Sequence, residues 1–206
     1  MTRVYLVRHG QTDWNADDRV QGRADVPLNA RGAADAARLR DRLAGVRFDA
    51  VVSSPLARAR QTAASVLADR PVPLTVSPAL TEIDYGRWQG TTPAERRRDD
   101  PRLAERWETH PESVHFPGGE SFSAFRCRVL AAWTALCHDH AHHTVLVSAH
   151  GHVNRVILLH ILGWTPDRFW TLTQSNAGCT VIACGGQRTE VGSLHNCWRT
   201  GLTEIR

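Results

Sequence analysis

The sequence predicts an α/β fold of three layers, a mostly parallel central sheet with helices on both faces. Two observations carry this. Short apolar runs at 4–7, 48–52 and 144–148 alternate with stretches whose apolar residues recur at helical spacing. The second and third runs also pass almost directly into helix starts, the pattern of strand–helix units. A chain of 206 residues, 42% of them hydrophobic, is expected to form one domain, 1–206, with a full core.

The first run, Val-Tyr-Leu-Val, ends on Arg8, His9 and Gly10. A buried strand closing on a guanidinium, an imidazole and a residue without a side chain points to an anion site. Arginine offers a planar fork of donors for phosphate or carboxylate, histidine a nucleophile near neutral pH, and glycine a close backbone approach. Residues 21–28 read as a loop, and Asn29 as the N-cap of a helix with Ala36, Leu39 and Leu43 inward. The run 48–52 is a second strand, ending at Ser53-Ser54-Pro55. Ser54 as N-cap with Pro55 at the first helical position predicts a helix start there. Its spacing buries Leu56, Ala59, Ala63 and Val66 and leaves Arg58 on another face.

Residues 71–76 form a weaker third strand, which proline confines to an edge or an end. The stretch 79–90 has no period and reads as an ordered loop, and 92–112 as two short charged helices. Residues 115–119 make a turn. Ser121 then caps a longer helix with Phe122, Phe125, Val129, Ala132, Trp133 and Leu136 inward. The run 144–148 is a clear strand leading into Ala149-His150-Gly151 and a helix with Val153, Ile157, His160 and Ile161 inward. Residues 179–183 and 188–194 predict an antiparallel hairpin about Gly185-Gly186. In parallel sheets ligands bind beyond the carboxyl ends of the strands. The ends at Arg8-His9, at Ser54 with Arg58, and at His150 then open onto one edge, beside helix N-termini that favour an anion.

Composition excludes several classes of function. All 25 basic residues are arginine, so lysine Schiff-base chemistry and Gly-Lys-Ser/Thr phosphate loops are absent. The net charge of +4 suits an anionic substrate, while interspersed signs argue against nucleic acid. Arg96-Arg97-Arg98 is followed by Asp99-Asp100 and reads as a solvated helix face. No run reaches membrane-span length and no signal-peptide core is present, so a cytoplasmic protein is expected. The five cysteines form no Cys-x-x-Cys pair and are expected as free buried thiols. The histidine-rich stretch 138–143 reads as a polar loop rather than a metal site.

Taken in order, several segments resemble the histidine phosphatase superfamily, in the branch that includes cofactor-dependent phosphoglycerate mutase. They are Leu-Val-Arg-His-Gly-Gln-Thr-Asp-Trp-Asn (6–15), Gln-Gly (21–22), Asp-Val-Pro-Leu-Asn-Ala-Arg-Gly (25–32), Ser-Ser-Pro-Leu-Ala-Arg-Ala-Arg-Gln-Thr-Ala (53–63), Leu-Thr-Glu (80–82), Pro-Gly-Gly-Glu-Ser (117–121) and Ser-Ala-His-Gly (148–151). The resemblance implies the phosphoglycerate mutase-like α/β fold. It implies His9 as a nucleophile that becomes a phosphohistidine, with Arg8, Arg58 and His150 holding the phosphate oxygens. It further implies Glu82 as proton donor and then base, by motif position and in preference to Asp84 nearby. Asn15, Gln21 and Gly22 match positions that line the phosphate site, and Gly151 stands beside His150 in the last motif.

The chemistry is coherent with those residue types. Two guanidiniums and a protonated His150 would balance a phosphate dianion, so that neither metal nor cofactor is needed. His9 must be neutral at the attacking nitrogen, and Glu82 protonated before the first step. Residues 90–116 are shorter than the insertion of the mutases and do not match it. The expectation is therefore a phosphomonoesterase acting on a small phosphorylated metabolite, with phosphoglycerate mutase as the alternative. His152 and His160 read as helix packing or capping residues, and Tyr85 and Trp88 as either pocket lining or loop anchors.

Overall fold

The structure, a computed structural model, describes residues 1–184 and 190–195. In chain order its elements are β1 (Thr2–Arg8), α1 (Asp13–Ala16), α2 (Ala30–Arg42), β2 (Ala50–Ser53), α3 (Ala57–Leu67), β3 (Leu74–Val76), α4 (Pro93–Asp99), α5 (Pro101–Thr109), α6 (Phe122–Asp139), β4 (Thr144–Ala149), α7 (Gly151–Leu162), β5 (Cys179–Cys184) and β6 (Glu190–His195). Short 3-10 turns at Pro78–Leu80, Gly86–Trp88, Pro111–Ser113 and Pro166–Thr171 shape the connections.

The strands form one sheet in the order β3-β2-β4-β1-β5-β6. β3, β2, β4 and β1 run parallel, while β5 is antiparallel to both β1 and β6. Register places Arg8 opposite Ala149, and Ser53 opposite Ser148, so the three strand ends of interest lie level along one edge. β3 is the exposed edge strand that its prolines require. The glycines at 185 and 186 of the expected hairpin lie outside the described residues.

Successive strand residues point to opposite faces, and the two cores divide accordingly. Val4, Leu6, Val52, Val145 and Val147 face one core, covered by α6 and α7. Val7, Val51 and Leu146 face the other, with Leu39 and Leu43 from the α2 segment and Ala63 and Val66 of α3. The first core carries an aromatic group centred on Trp107, whose ring meets Tyr85, Phe116, Phe169 and Trp170 at 5.1–5.8 Å between centroids. Burial of these rings fixes the otherwise aperiodic segment 79–120 against α6 and α7.

Helix starts follow the capping rules except at α3 and α7, which begin without a side-chain cap. Asn29 accepts from the Gly32 amide at 2.9 Å, and Ser121 from that of Ala124 at 3.1 Å. Ser54 is not the N-cap of α3. The chain bends at Pro55 and Leu56, and the helix begins at Ala57. The Ser54 hydroxyl lies 2.7 Å from His150 Nε2 instead, and the first helical amide, of Ala57, donates to Asp25 Oδ1 at 2.6 Å. A carboxylate from a distant loop thus does the work expected of a local serine. Other departures are at the surface: His160 is exposed rather than inward, and so is Cys127, although Cys179 and Cys184 are buried.

The loop after β1 rests on the first turn of α2. A Cβ at Gly10 would stand 2.5 Å from the Gly32 carbonyl oxygen, and one at Gly32 would collide with the backbone of Gln11. Gly32→Ala is therefore expected to cost about 1–3 kcal/mol through forced backbone shifts. At roughly 2–4 °C per kcal/mol for a chain of this size, a thermal melt should show a fall of several degrees. An unchanged melting temperature would contradict the close approach.

Candidate active site

The site begins at the end of β1. His9 is buried, and its Nδ1 lies 2.7 Å from the Gly10 carbonyl oxygen. A carbonyl only accepts, so Nδ1 carries the proton and Nε2 presents a lone pair. That lone pair accepts from Arg58 Nε–H at 3.2 Å. Burial holds His9 well below its ordinary pKa, and the charges of Arg58, His150 and Arg8 push the same way. The cations foreseen as keeping the ring neutral thus act in that direction, but desolvation is the larger cause. Gly10 is fixed in turn, since its amide donates to Thr62 Oγ1 at 3.0 Å.

Arg58 comes from the first turn of α3 and is fully buried. Its terminal nitrogens donate to Ala24 O at 2.7 Å and Gly22 O at 2.8 Å, which fix the fork with its Nε–H toward His9. Gly22 adopts φ +53°, a left-handed conformation that glycine takes freely, and a Cβ there would lie 2.9 Å from Ile83 O. Burial lowers the Arg58 pKa to about 10, so it remains a cation at neutral pH. Arg8 donates through Nη1 to the Gln174 carbonyl.

Glu82 is buried in the loop before the Gly86–Trp88 turn. It accepts from the Ile83 amide at 3.0 Å and the His152 amide at 3.2 Å, and its Oε2 lies 3.1 Å from His152 Nδ1. Burial alone would raise its pKa. The charge and hydrogen bond of His152, then His150 and the Ile83 amide, outweigh burial and hold it well below the ordinary carboxylate range. Burial also lowers the pKa of His152. Glu82 is therefore a carboxylate, with the His152 ring and the Ile83 and His152 amides about it. The sequence leaves the resting protonation state of Glu82 open, and in the ligand-free protein its neighbours outweigh burial and keep it ionised.

His150 is expected to carry a proton only against a phosphate dianion. It sits at the end of β4 before α7, fully buried, with its ring 5.2 Å from that of His9. Burial and the Arg58 charge hold it well below its ordinary pKa, so it is neutral without a ligand. Its Nδ1 is buried and has no hydrogen-bond partner among the described residues. Of the nine residues singled out from the sequence, eight (Arg8, His9, Asn15, Gln21, Gly22, Arg58, Glu82 and Gly151) line one cavity of about 250 Å³. His150 packs behind it. Asn15 is held by a capping box with Thr12, and Gln21 is buried with Oε1 unpartnered among the described residues. Tyr85 lines the cavity, whereas Trp88 anchors the loop against Phe116 at 5.3 Å.

Four further residues complete the arrangement without having been legible in the sequence. His152 was read as packing, but it holds Glu82, and its Nε2 lies 3.2 Å from the Tyr85 hydroxyl. Arg128 on α6 donates to Ala79 O, Thr81 O and Glu82 O at 2.7–3.1 Å and to Glu120, clamping the aperiodic loop that carries Glu82. Asn176 Nδ2 donates to His9 O at 3.2 Å and to Asn15 Oδ1 at 3.1 Å. Gln174 supplies the carbonyl that holds Arg8. The last two enter because β5 is antiparallel, which brings its starting end to the edge where β1 finishes. Among the described residues, no group of three or more His, Cys, Asp or Glu is placed to hold a metal ion, and no helix is long and apolar enough to cross a membrane.

Comparison with known proteins gives a consistent result. A family model described as the histidine phosphatase superfamily (branch 1) matches residues 4–196. The chain is 31% identical over 195 residues to phosphoserine phosphatase 1 of Hydrogenobacter thermophilus, covering 95% of this chain and 92% of that protein. It is 36% identical over 181 residues to 2-carboxy-D-arabinitol-1-phosphatase of Triticum aestivum; this match covers 87% of the chain but only 36% of the longer wheat protein. Its structure is similar to the crystal structure of the α-ribazole phosphatase from Shigella flexneri, with TM-score 0.86, 28% identity, and coverage of 98% of this chain and 100% of that one.

The buried histidines make stability depend on pH with a definite sign. His9, His150 and His152 remain neutral in the folded protein below their ordinary value of 6.5, whereas the unfolded chain binds protons there. Stability is then fully present above about pH 6.5 and lost as pH falls, by up to about 1.4 kcal/mol per pH unit per histidine. Glu82, with its lowered folded pKa, adds a loss of the same sign further into acid. Urea unfolding at pH 7.5, 6.5 and 5.5 should show this decline, and His150→Gln should make it shallower. A flat profile between pH 6.5 and 5.5 would contradict the burial argument.

Proposed function

The chain belongs to branch 1 of the histidine phosphatase superfamily and is a phosphoric monoester hydrolase; on that premise we propose that it hydrolyses a small phosphorylated metabolite through a phosphohistidine on His9, without a metal. One observation carries the reading. His9 Nε2 presents its lone pair in a cavity that also holds Glu82, the buried guanidinium of Arg58 and the half-buried one of Arg8.

In the first transfer, the Nε2 lone pair attacks phosphorus and the ester P–O bond breaks. The leaving oxygen takes a proton from Glu82, giving a free alcohol and a phosphoimidazole whose Nδ1–H stays on the Gly10 carbonyl. In the second, water gives a proton to the Glu82 carboxylate and attacks phosphorus. The N–P bond breaks, regenerating His9 and releasing inorganic phosphate. Arg58 Nε–H donates to Nε2 in the free protein. Once that lone pair is committed to phosphorus, the same donor turns to a phosphate oxygen. Charge stabilisation by fixed guanidiniums in a partly desolvated site is the main resource of phosphoryl transfer.

The ligand supplies what the free protein lacks. A bound phosphate dianion raises the pKa of Glu82 and of His150, so each gains a proton when it is useful. The pair Glu82–His152 then holds the proton that the leaving group needs. The relatives' names point to phosphoserine, α-ribazole phosphate and 2-carboxyarabinitol 1-phosphate as the first substrates to try. The family match from residue 4 to residue 196 supports reading the chain as a single domain of this kind.

His9→Ala is expected to lower phosphate release at least about 1000-fold and to abolish an acid-labile phosphoenzyme. Glu82→Gln should cost about 100-fold or more on an alkyl phosphate and far less on p-nitrophenyl phosphate, whose leaving group needs no proton. EDTA should leave turnover unaltered. Rapid conversion of 3-phosphoglycerate to 2-phosphoglycerate in the presence of 2,3-bisphosphoglycerate, with little phosphate released, would favour a mutase instead.

A further inference from the structure

A second cavity opens between α2 and the loop that precedes β5. Its volume is about 360 Å³, larger than that of the active-site cavity. Arg31, Asp35, Arg38 and Arg42 form its helical wall, at spacings of four, three and four residues on α2. Each stands one position before a buried residue of the α2 segment, Gly32, Ala36, Leu39 and Leu43, so the stripe runs along the margin of the buried face. Three guanidiniums meet one carboxylate there, and that carboxylate, Asp35, is already paired with Arg38. Arg31 and Arg42 make no ion pair with any described residue. The Gln11 carboxamide oxygen accepts from Asn29 Nδ2 at 3.2 Å, and its NH2 group adds a donor to the lining. Leu39 is the one large apolar side chain among the lining residues, so the cavity has no face for an aromatic base or an acyl chain. Guanidinium forks, an amide donor and two unbalanced positive charges suit a compact oxyanion carrying two negative charges.

The facing wall is the stretch 175–178, and the same stretch holds the backbone of the nucleophile. The Ala177 amide donates to His9 O at 3.1 Å, and Gly178 O accepts from the Arg8 amide at 3.0 Å. Asn176 Nδ2 reaches His9 O, Gly10 O and Asn15 Oδ1 at 3.1–3.3 Å. Asn176 therefore lines the second cavity and touches Asn15, which lines the first. Ala177 stands at φ +53°, a left-handed conformation that is unfavourable for a residue with a Cβ. This turn is held by its contacts rather than by its own preference. Gln11, two residues past His9, is pressed against Gly32, the neighbour of Arg31.

The geometry points to a second oxyanion site, formed by Arg31, Arg38, Arg42 and Gln11, that binds a phosphate-type dianion and acts on His9 through the stretch 175–178. A dianion held between α2 and that stretch shifts the groups that pin the His9 and Gly10 carbonyls. The Gly10 carbonyl holds His9 Nδ1, so occupancy of the second site changes kcat. Phosphate in the active site, by contrast, only competes with the ester. Free phosphate and a phosphate ester share the chemistry that this site recognises. The effect on turnover rests on the phosphatase reading, whereas the binding does not.

The probe is inorganic phosphate in about 0.15 M salt, which screens diffuse attraction to exposed charges. Equilibrium dialysis is expected to find two phosphates per wild-type chain and one per chain of the double variant Arg31→Ala/Arg42→Ala, whose replaced side chains have no ion pair to lose. With p-nitrophenyl phosphate as substrate, added phosphate should raise KM in both proteins but change kcat, by about twofold or more, in the wild type alone. Without added phosphate the two proteins should turn over within about twofold of each other. A wild-type rate that departs from a hyperbola as the ester alone is raised would identify the ester as the occupant. A hyperbolic rate whose kcat responds to added phosphate would identify free phosphate. One phosphate per wild-type chain, or equal numbers in both proteins, overturns the inference, as does a wild-type kcat that responds to neither anion. The dialysis needs no turnover, so it decides the site even for a protein that hydrolyses no ester, a result that would overturn the phosphatase reading alone.

Discussion

The site turns on one constraint: an imidazole must keep its lone pair free while surrounded by guanidiniums. Three features meet it. Burial disfavours the charged ring, the Gly10 carbonyl takes the Nδ1 proton, and the Arg58 Nε–H occupies Nε2 until a ligand arrives. Each feature makes demands on the fold. The carbonyl is aimed by a loop pressed onto the start of α2 so closely that Gly10 and Gly32 have no room for side chains. The guanidinium is fixed by two carbonyls of a loop that turns at Gly22.

In the proposed mechanism proton supply rests on a second interaction, between Glu82 and His152. The carboxylate sits in an aperiodic loop, which by itself would place it poorly. Arg128 corrects this by gathering three carbonyls of residues 79–82 onto one guanidinium, and Glu120 balances that charge. The aromatic group around Trp107 packs the other side of the segment. A flexible stretch thereby becomes a rigid arm, and Glu82 stays ionised until a ligand alters the local field.

The sheet converts these local devices into one place. Parallel strands put the ends of β1, β2 and β4 on one edge, each already carrying a residue of the site or leading to one. The antiparallel β5 then returns its preceding loop to that edge, where Gln174 and Asn176 pin the backbone near His9. Gly151 and His152 follow from the same geometry, since the first turn of α7 lines the cavity.

Much of this was legible in the sequence. Short apolar runs gave the strands, because a sheet covered on both faces buries both sides of each strand, and helical spacing gave most helices and their inward faces, because burial of one helix face imposes its period. Strand-end motifs gave Arg8, His9, Arg58 and His150, because parallel topology fixes where such ends go. What the sequence could not give was every feature set by contacts between distant segments. Asp25, not Ser54, satisfies the first amide of α3. His152 is a partner of Glu82 as well as the packing residue it reads as, and Arg128 acts 46 residues away from Glu82. The protonation states of Glu82 and His150 belong to the same class, since they follow from burial and neighbouring charges that no local pattern records. The sequence by itself determined which chemical groups the site has and which edge of the sheet they share. Only the tertiary structure decided how their charges and protons are arranged, because electrostatic energies depend on distances and desolvation that packing alone creates.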